Sequence, residues 1–295
     1  MSEALQRLID LLELEPIEEN IFRGQNEGGG RGHGRMRLFG GQVAAQALAA
    51  AGRTVEGRSV HSLHAYFLRG GDPSVPVVFT VDRIRDGSSF TTRRVVAVQR
   101  GRAIFNMSAS FHKQETGYEH QDEMPPGPDP EDLPTWEERA AKFADRVPEH
   151  MREWMFAERP IEMRSSEAHS WFGGEPSTGP NRVWLRANGP VAEDPMLHAC
   201  LLTYASDMGF VDNMYRPHRK GERDVMIASL DHAMWFHRPV RVDDWVLYVQ
   251  ESPTASAARG FALGAMYARD GARICSVAQE GLMRRVDPRK MRAGS

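Results

Sequence analysis

Residues 229–238, Ser229-Leu230-Asp231-His232-Ala233-Met234-Trp235-Phe236-His237-Arg238, read as a second version of residues 62–69, Ser62-Leu63-His64-Ala65-Tyr66-Phe67-Leu68-Arg69. One residue is inserted, and matching His64 to His232 sets the alignment. Further along, Asp86-Gly87-Ser88-Ser89-Phe90 to Arg94 occupies the place of Thr254-Ala255-Ser256-Ala257 to Arg259. Each segment is followed by a strand-like run, a turn glycine (Gly101, Gly271) and a final run. Internal repetition on this scale points to a duplicated fold, and 295 residues suit two domains.

Each half reads as one helix and several long strands. In the first, Phe39-Gly40-Gly41-Gln42 leads into an alanine-rich helix that stops near Gly52. Strand-like runs follow at 60–68, 76–84, 90–98 and 103–111, separated by Gly70-Gly71-Asp72-Pro73, Asp86-Gly87 and Arg100-Gly101. In the second half, a strand at 182–187 precedes a helix from Pro195 to Asp207, and strands follow at 225–237, 245–251, 256–268 and 272–284. The expectation is an α+β protein with an antiparallel sheet curled around a helix in each half.

The remaining segments connect or flank these halves. Leu5, Leu8, Ile9 and Leu12 recur at helical spacing between a capping Ser2 and a terminating Pro16, which predicts a helix over 3–14. Residues 27–37, Glu-Gly-Gly-Gly-Arg-Gly-His-Gly-Arg-Met-Arg, predict a loop, either a solvated insertion or an arginine loop near a polyanion. Residues 114–135 are rich in proline and acid and predict a linker, followed by a helix over 136–156 and an irregular stretch over 158–180. The expected division is 1–113, a connector 114–157, and 158–295.

Bulk properties narrow the function. A net charge of -3 and a pI near 6.4 give no global attraction to nucleic acid or to a membrane surface. The two cysteines, Cys200 and Cys275, lie in apolar runs, as expected in a reducing compartment. The N-terminal stretch carries acids and lacks a basic, then apolar, leader pattern, and Ala293-Gly294-Ser295 is not a peroxisomal address, so the expectation is a cytoplasmic protein.

The chain resembles the acyl-CoA thioesterase II family of double hotdog enzymes. The resemblance is carried by Phe22-Arg23-Gly24-Gln25, Phe39-Gly40-Gly41-Gln42-Val43, Val60 through Phe67, Asp86-Gly87 through Val95, Trp184-Leu185-Arg186-Ala187, Tyr204-Ala205-Ser206-Asp207, Leu230 through Arg238, and Gln279-Glu280-Gly281. It implies two hotdog domains in tandem, and hydrolysis of fatty acyl-CoA to free acid and CoA with no metal or organic cofactor. The family's catalytic Asp, Thr and Gln fall on Asp207, Ser229 and Gln279, with serine where the family pattern usually has threonine. The glycine- and arginine-rich stretch at 27–37 is a second departure.

Read as residues alone, Asp207 ends a helix that is apolar on nearly every side and has no cation at helical reach. A carboxylate desolvated there would have a raised pKa and act as a better base toward water; the alternative is an exposed helix end. Ser229 and Gln279 lie on strand-like runs and can hold a water or a carbonyl without changing charge. A helix N-terminus is the expected source of an oxyanion donor.

Substrate contacts are expected from Gly40, Gly41, His61, Arg93, Arg94 and Arg259, with Arg69 and Arg238 as further cations for the CoA phosphates; surface ion pairing is the competing reading for each arginine. His61, His64, His232 and His237 alternate with apolar residues and lack metal-ligand spacing, so they read as structural. Asp231 and His232, adjacent on a strand, face opposite ways and form no dyad. No G-x-S-x-G elbow or phosphate-binding loop occurs, and both cysteines read as buried and inert. Within the fold the competing activity is a hydratase, whose Gly-Asp-x-Asn-Pro-x-His type segment is missing. Outside catalysis the alternative is an acyl-CoA sensor. Exposed sheet edges predict a homo-oligomer.

Overall fold

The structure, a computed structural model, describes residues 1–26, 37–146, 152, 155–167, 175–219 and 225–286. Thirteen strands form one antiparallel sheet: β1 (Glu15–Glu18), β2 (Ile21–Gly24), β3 (Ser59–Phe67), β4 (Val77–Asp86), β5 (Phe90–Gln99), β6 (Arg102–His112), β7 (Ile161–Ser165), β8 (Asn181–Ala187), β9 (Val225–Ser229), β10 (Asp231–Phe236), β11 (Val246–Ser256), β12 (Arg259–Ala268) and β13 (Arg273–Arg285). The order is β1-β2-β4-β5-β6-β3-β10-β13-β12-β11-β8-β7, with β9 beside β13. Strands of the first half therefore occupy one side of the sheet and strands of the second half the other. They meet where β3 pairs β10, with Tyr66 opposite Asp231 and His64 opposite Ala233.

Among the described residues, the helices that accompany the sheet with full bounds are α1 (Glu3–Leu12), α2 (Gly40–Gly52), α3 (Trp136–Lys142), α4 (Pro195–Ser206) and α5 (Phe210–Tyr215). Helix α1 forms because Ser2 Oγ accepts the Leu5 N–H at 3.1 Å and because Leu5, Leu8 and Leu12 share one buried stripe. Helices α2 and α4 are apolar all round, and both are enclosed. They run antiparallel. A Cβ at Gly41 would stand 2.6 Å from the Tyr204 carbonyl, and one at Gly52 would stand 2.9 Å from Met196 Sδ, so the start of each helix lies against the end of the other. This opposes their dipoles, and at Gly41, where the neighbour is backbone, the close approach requires glycine. Each half is thus a helix wrapped by antiparallel strands, and the chain is two hotdog units in tandem.

Strand pairing sets the true alignment of the repeat. Phe67 pairs Phe105 on β6, and Phe236 pairs Cys275 on β13. Two residues beyond each phenylalanine, Arg69 Nη1 donates to the Ala103 carbonyl at 2.6 Å and Arg238 Nη1 to the Arg273 carbonyl at 2.8 Å. Counting back from the phenylalanines, His232 corresponds to Leu63, and His64 corresponds to Ala233. The alignment of His64 with His232 is off by one. The two histidines lie on opposite faces, since His232 is buried while His64 is exposed and packs edge-on against Trp235.

Four local expectations are revised. The run 225–237 is two strands broken at Leu230, because the register to β13 slips by one residue between Ser229 opposite Gly281 and Ala233 opposite Ala278. An equivalent slip falls between Val60 and Ser62 in the first half, at His61. Residues 15–24 form a β-hairpin turning at Asn20, whose φ of 60° is tolerated by asparagine. Residues 161–165, expected to be irregular, are an edge strand held by Glu162, which pairs with Arg164 and Arg186 at 2.6 and 2.7 Å. The helix expected over 136–156 is seven residues long before a 3-10 turn at Ala144–Arg146; several of its later residues lie outside the described set. The predicted loop 27–37 also lies outside it, apart from Arg37.

The stretch 114–135 has only a 3-10 turn at Pro130–Asp132, yet it is docked rather than free. Met124 and Leu133 pack on a small outer cluster of Trp184, Trp245, Leu247, Val249 and Tyr267, and Trp184 Nε1 donates to the Pro128 carbonyl at 3.0 Å.

Candidate active site

Asp207 caps the C-terminus of α4 and is 7% exposed, so it is not an exposed helix end. Its Oδ1 accepts from Gln279 Nε2 at 3.2 Å and from Ser229 Oγ at 3.4 Å, while Gln279 Nε2 also reaches Ser229 Oγ at 2.7 Å. The three residues, far apart in sequence, form one hydrogen-bonded triangle. The slip at Leu230 is what makes this possible. Strict alternation would send Ser229 to the face opposite His232, whereas the extra residue turns both inward beside Gln279.

The first half supplies the opposite wall. A Cβ at Gly40 would stand 2.8 Å from Asp207 Oδ2 and 2.7 Å from Phe67 Cε1, so the first turn of α2 lies directly against the carboxylate. The N-cap residue, Phe39, has no side-chain hydrogen bond to that turn. The first N–H groups of a helix have no partner within it, and they carry the positive end of its dipole. Gly40 is therefore brought to Asp207, and Gly41, next in the same turn, lies against the Tyr204 carbonyl.

The other expected substrate contacts are not. His61 is the slip residue of β3; its Nε2 lies 2.8 Å from Ser110 Oγ, and it packs edge-on against Phe90 and His112, six residues along β3 from Phe67. Burial, and secondarily His112, push its pKa down. Arg93 is 1% exposed and has its donors taken by Thr54 Oγ1 at 2.8 Å, the Thr54 carbonyl at 3.0 Å and Asp86 Oδ1 at 2.7 Å. It ties the end of α2 to the β4–β5 hairpin. Arg94 pairs with Asp82 at 2.6 Å and Arg259 with Glu280 at 2.8 Å, both on the surface. Arg69 and Arg238 brace backbone carbonyls, as described above.

Among the groups set aside at the sequence level, His232 lies in the cluster. Its Nδ1 is 2.8 Å from Gln279 Oε1 and its Nε2 is 2.8 Å from Ser206 Oγ. Burial pushes its pKa down, against the pull of Asp207, the Gln279 hydrogen bond and Asp231. Asp231 faces away and accepts the Glu280 N–H at 2.6 Å, so the pair forms no dyad. Tyr248 Oη donates to the Ser206 carbonyl at 3.1 Å, which steadies the end of α4. Nothing in the spacing of Ser206, His232 and Tyr248 advertises this; only the register brings them together. Cys200 and Cys275 are free and buried, and desolvation raises both thiols.

Beyond Met208 and Gly209 a polar cavity lies under α5, containing the ion pairs Arg216–Glu167 at 2.6 Å and Arg219–Asp212 at 2.8 Å. None of the three candidate catalytic residues lines it. Among the described residues no helix is long and apolar enough to cross a membrane.

A buried carboxylate held by an amide and a hydroxyl thus faces a helix N-terminus from the other hotdog unit. The family model described as acyl-CoA thioesterase matches residues 150–282, and the model described as acyl-CoA thioesterase N-terminal domain matches residues 30–112. The chain is 39% identical over 287 residues to "Acyl-CoA thioesterase 2" of Haemophilus influenzae, covering 96% of this chain and 99% of that one. It is 40% identical over 284 residues to "Acyl-coenzyme A thioesterase 8" of Mus musculus, covering 93% and 88%. The crystal structure of the acyl-CoA thioesterase II TesB2 from Mycobacterium marinum superposes with a TM-score of 0.77 at 40% identity, covering 94% of this chain and 98% of that one. The chain belongs to the acyl-CoA thioesterase family.

Proposed function

We propose that the protein hydrolyses fatty acyl-CoA to free acid and CoA with a water activated by Asp207. The observation that supports this best is the triangle of Asp207, Ser229 and Gln279, set against the uncapped first turn of α2. Gln279 and Ser229 hold Asp207 Oδ1, leaving Oδ2 toward Gly40. In this reading a water bound among the three gives its proton to Asp207 as its oxygen bonds to the thioester carbon. The carbonyl oxygen becomes an oxyanion that the Gly40 and Gly41 N–H groups stabilise. Collapse breaks the carbon–sulfur bond, and the proton on Asp207 passes to the departing CoA thiolate. Proton and electron pairs balance without any further reactant.

Within the same proposal, the boundaries 1–113 and 158–295 separate a half that gives the oxyanion donors from a half that gives the base. Free, buried cysteines fit a cytoplasmic location. The sheet ends at β1 and β7 and carries exposed Tyr66 and Trp235 on its outer face, which favours a homo-oligomer.

The test is release of free thiol from a series of acyl-CoA chain lengths by the native protein and by Asp207→Asn. Turnover that collapses in the variant, with folding intact, supports the activity and the base. No turnover on any acyl-CoA favours a binding protein, and an unaffected variant removes Asp207 from the chemistry.

A further inference from the structure

Gln279 can act as described only if its amide points one way. Its amino group must face Asp207, since a carboxylate only accepts, and its carbonyl must then face the interior. An amide has no intrinsic preference between the two orientations. Asp207 and Ser229 hold the amino end, and the group facing Gln279 Oε1 at the other end is His232 Nδ1 at 2.8 Å.

The protonation of that nitrogen is fixed in turn. Burial keeps the ring neutral, so one nitrogen donates and the other accepts. Oε1 is an acceptor, which places the hydrogen on Nδ1. Nε2 then accepts, and the Ser206 hydroxyl at 2.8 Å is its donor. Thr203 O is a second acceptor at the same distance from Ser206 Oγ, so the single hydroxyl proton can point to either, and the Nδ1–H tautomer requires it to point to His232 Nε2. Ser206 adjoins Asp207 in the chain, so the bonds close a ring: Asp207, Gln279, His232, Ser206 and back through one peptide link. Gln279 and Ser206 are wholly buried and His232 nearly so.

We infer that His232 is a positioning residue: with its Nδ1–H it locks the Gln279 amide so that the amino group faces Asp207 and Ser229, and Ser206 sets the tautomer that does so. The inference rests on the proposed use of Gln279. It also explains an asymmetry of the repeat. In the other half, Leu63 and Ala109 pair at the positions of His232 and Gln279. Where the glutamine is missing, the histidine is missing too.

The same comparison selects the variants. Leucine is what the fold already accepts at this position in the first half, so His232→Leu removes the donor with little cost in packing. His232→Asn keeps a donor near the place of Nδ1. The measurement is kcat and KM for acyl-CoA hydrolysis in His232→Leu, His232→Asn, Gln279→Ala and the double variant His232→Leu/Gln279→Ala, each checked for folding by thermal melting. The expected result is a kcat about tenfold lower in His232→Leu at unchanged KM, a partial return in His232→Asn, and no further loss when His232→Leu is added to Gln279→Ala. If Gln279→Ala retains full activity, the reading of the site itself fails. If Gln279→Ala is impaired but His232→Leu is not, or if the two losses multiply, the positioning role alone is overturned. Should His232→Leu not fold, Ser206→Ala must lower kcat in the native background and not in Gln279→Ala; an additive loss there overturns the inference as well.

Discussion

Gly40 and Asp207 belong to opposite halves of the chain, and a single methyl group on the first would stand 2.8 Å from the carboxylate of the second. The carboxylate and the helix end that faces it are thus in contact through a residue with no side chain. Gly40→Ala is expected to push Asp207 or Phe67 aside and lower kcat about a hundredfold, the scale of losing one oxyanion donor, while the fold survives. Steady-state kinetics beside a thermal melt test this; an unchanged kcat would detach α2 from the mechanism.

Ser229 is asked only to hold Asp207 and Gln279 through its hydroxyl. Ser229→Thr keeps that oxygen and is expected to stay within a few-fold of native kcat. Ser229→Ala leaves Gln279 Nε2 with one partner fewer and is expected to lose about tenfold. Equal losses in the two variants would mean that the space, not the hydroxyl, matters.

Arg93 is expected to matter for folding rather than turnover. Arg93→Met leaves the Thr54 carbonyl and hydroxyl short of a donor and should cost about 3 kcal/mol in denaturant unfolding, with kcat unchanged. The pair also predicts a pH dependence. Its hydrogen bond to Arg93 is the main reason the Asp86 carboxyl titrates below its ordinary value of 3.8. A depressed folded-state pKa contributes stability that is present above the ordinary value and lost as pH falls through the lowered one. Native stability should therefore fall more steeply than that of Arg93→Met between about pH 5 and pH 3. Parallel curves would show that Asp86 gains nothing from the pair.

Leu133 and Met124 fasten the 114–135 stretch to the outer aromatic cluster. Leu133→Ala is expected to cost about 1 kcal/mol and to speed cleavage after Glu115, Glu119 and Glu123 by a glutamate-specific protease, with no change in kcat. Cleavage at the native rate would mean that Trp184 and Pro128 hold the segment by themselves.

Composition and periodicity carried the helices α1, α2 and α4 and most of the long strands, because their apolar spacing is unbroken. The hairpin at 15–24 and the edge strand at 161–165 are hidden in the sequence, since strands of four or five residues of mixed polarity are too short to show a period. The site was half legible. Asp207, Ser229 and Gln279 came from the family resemblance, and Gly40 and Gly41 as candidate contacts. His232 reads as structural from sequence, because it alternates with apolar residues and lacks metal-ligand spacing, and the similarity of letters sets it opposite His64 in the repeat. Hydrogen-bond register, which a sequence does not display, aligns it with Leu63. Arg93 was illegible for a related reason: from sequence alone a buried structural guanidinium and a ligand-binding one look alike.

The duplicated frame offers two equivalent corners, and only one is equipped. Arg53, Val60, Leu63 and Ala109 stand where the other half has Asp207, Ser229, His232 and Gln279. A pair of identical chains would have to repeat every substitution in both corners, so that a helix start optimised for facing the base would also have to precede a base of its own. Joining the units in one chain lifts that obligation. Each copy is then free to specialise, and on the proposed assignment each polypeptide has one turnover centre, so titration with a tight-binding inhibitor should saturate at a single equivalent per chain.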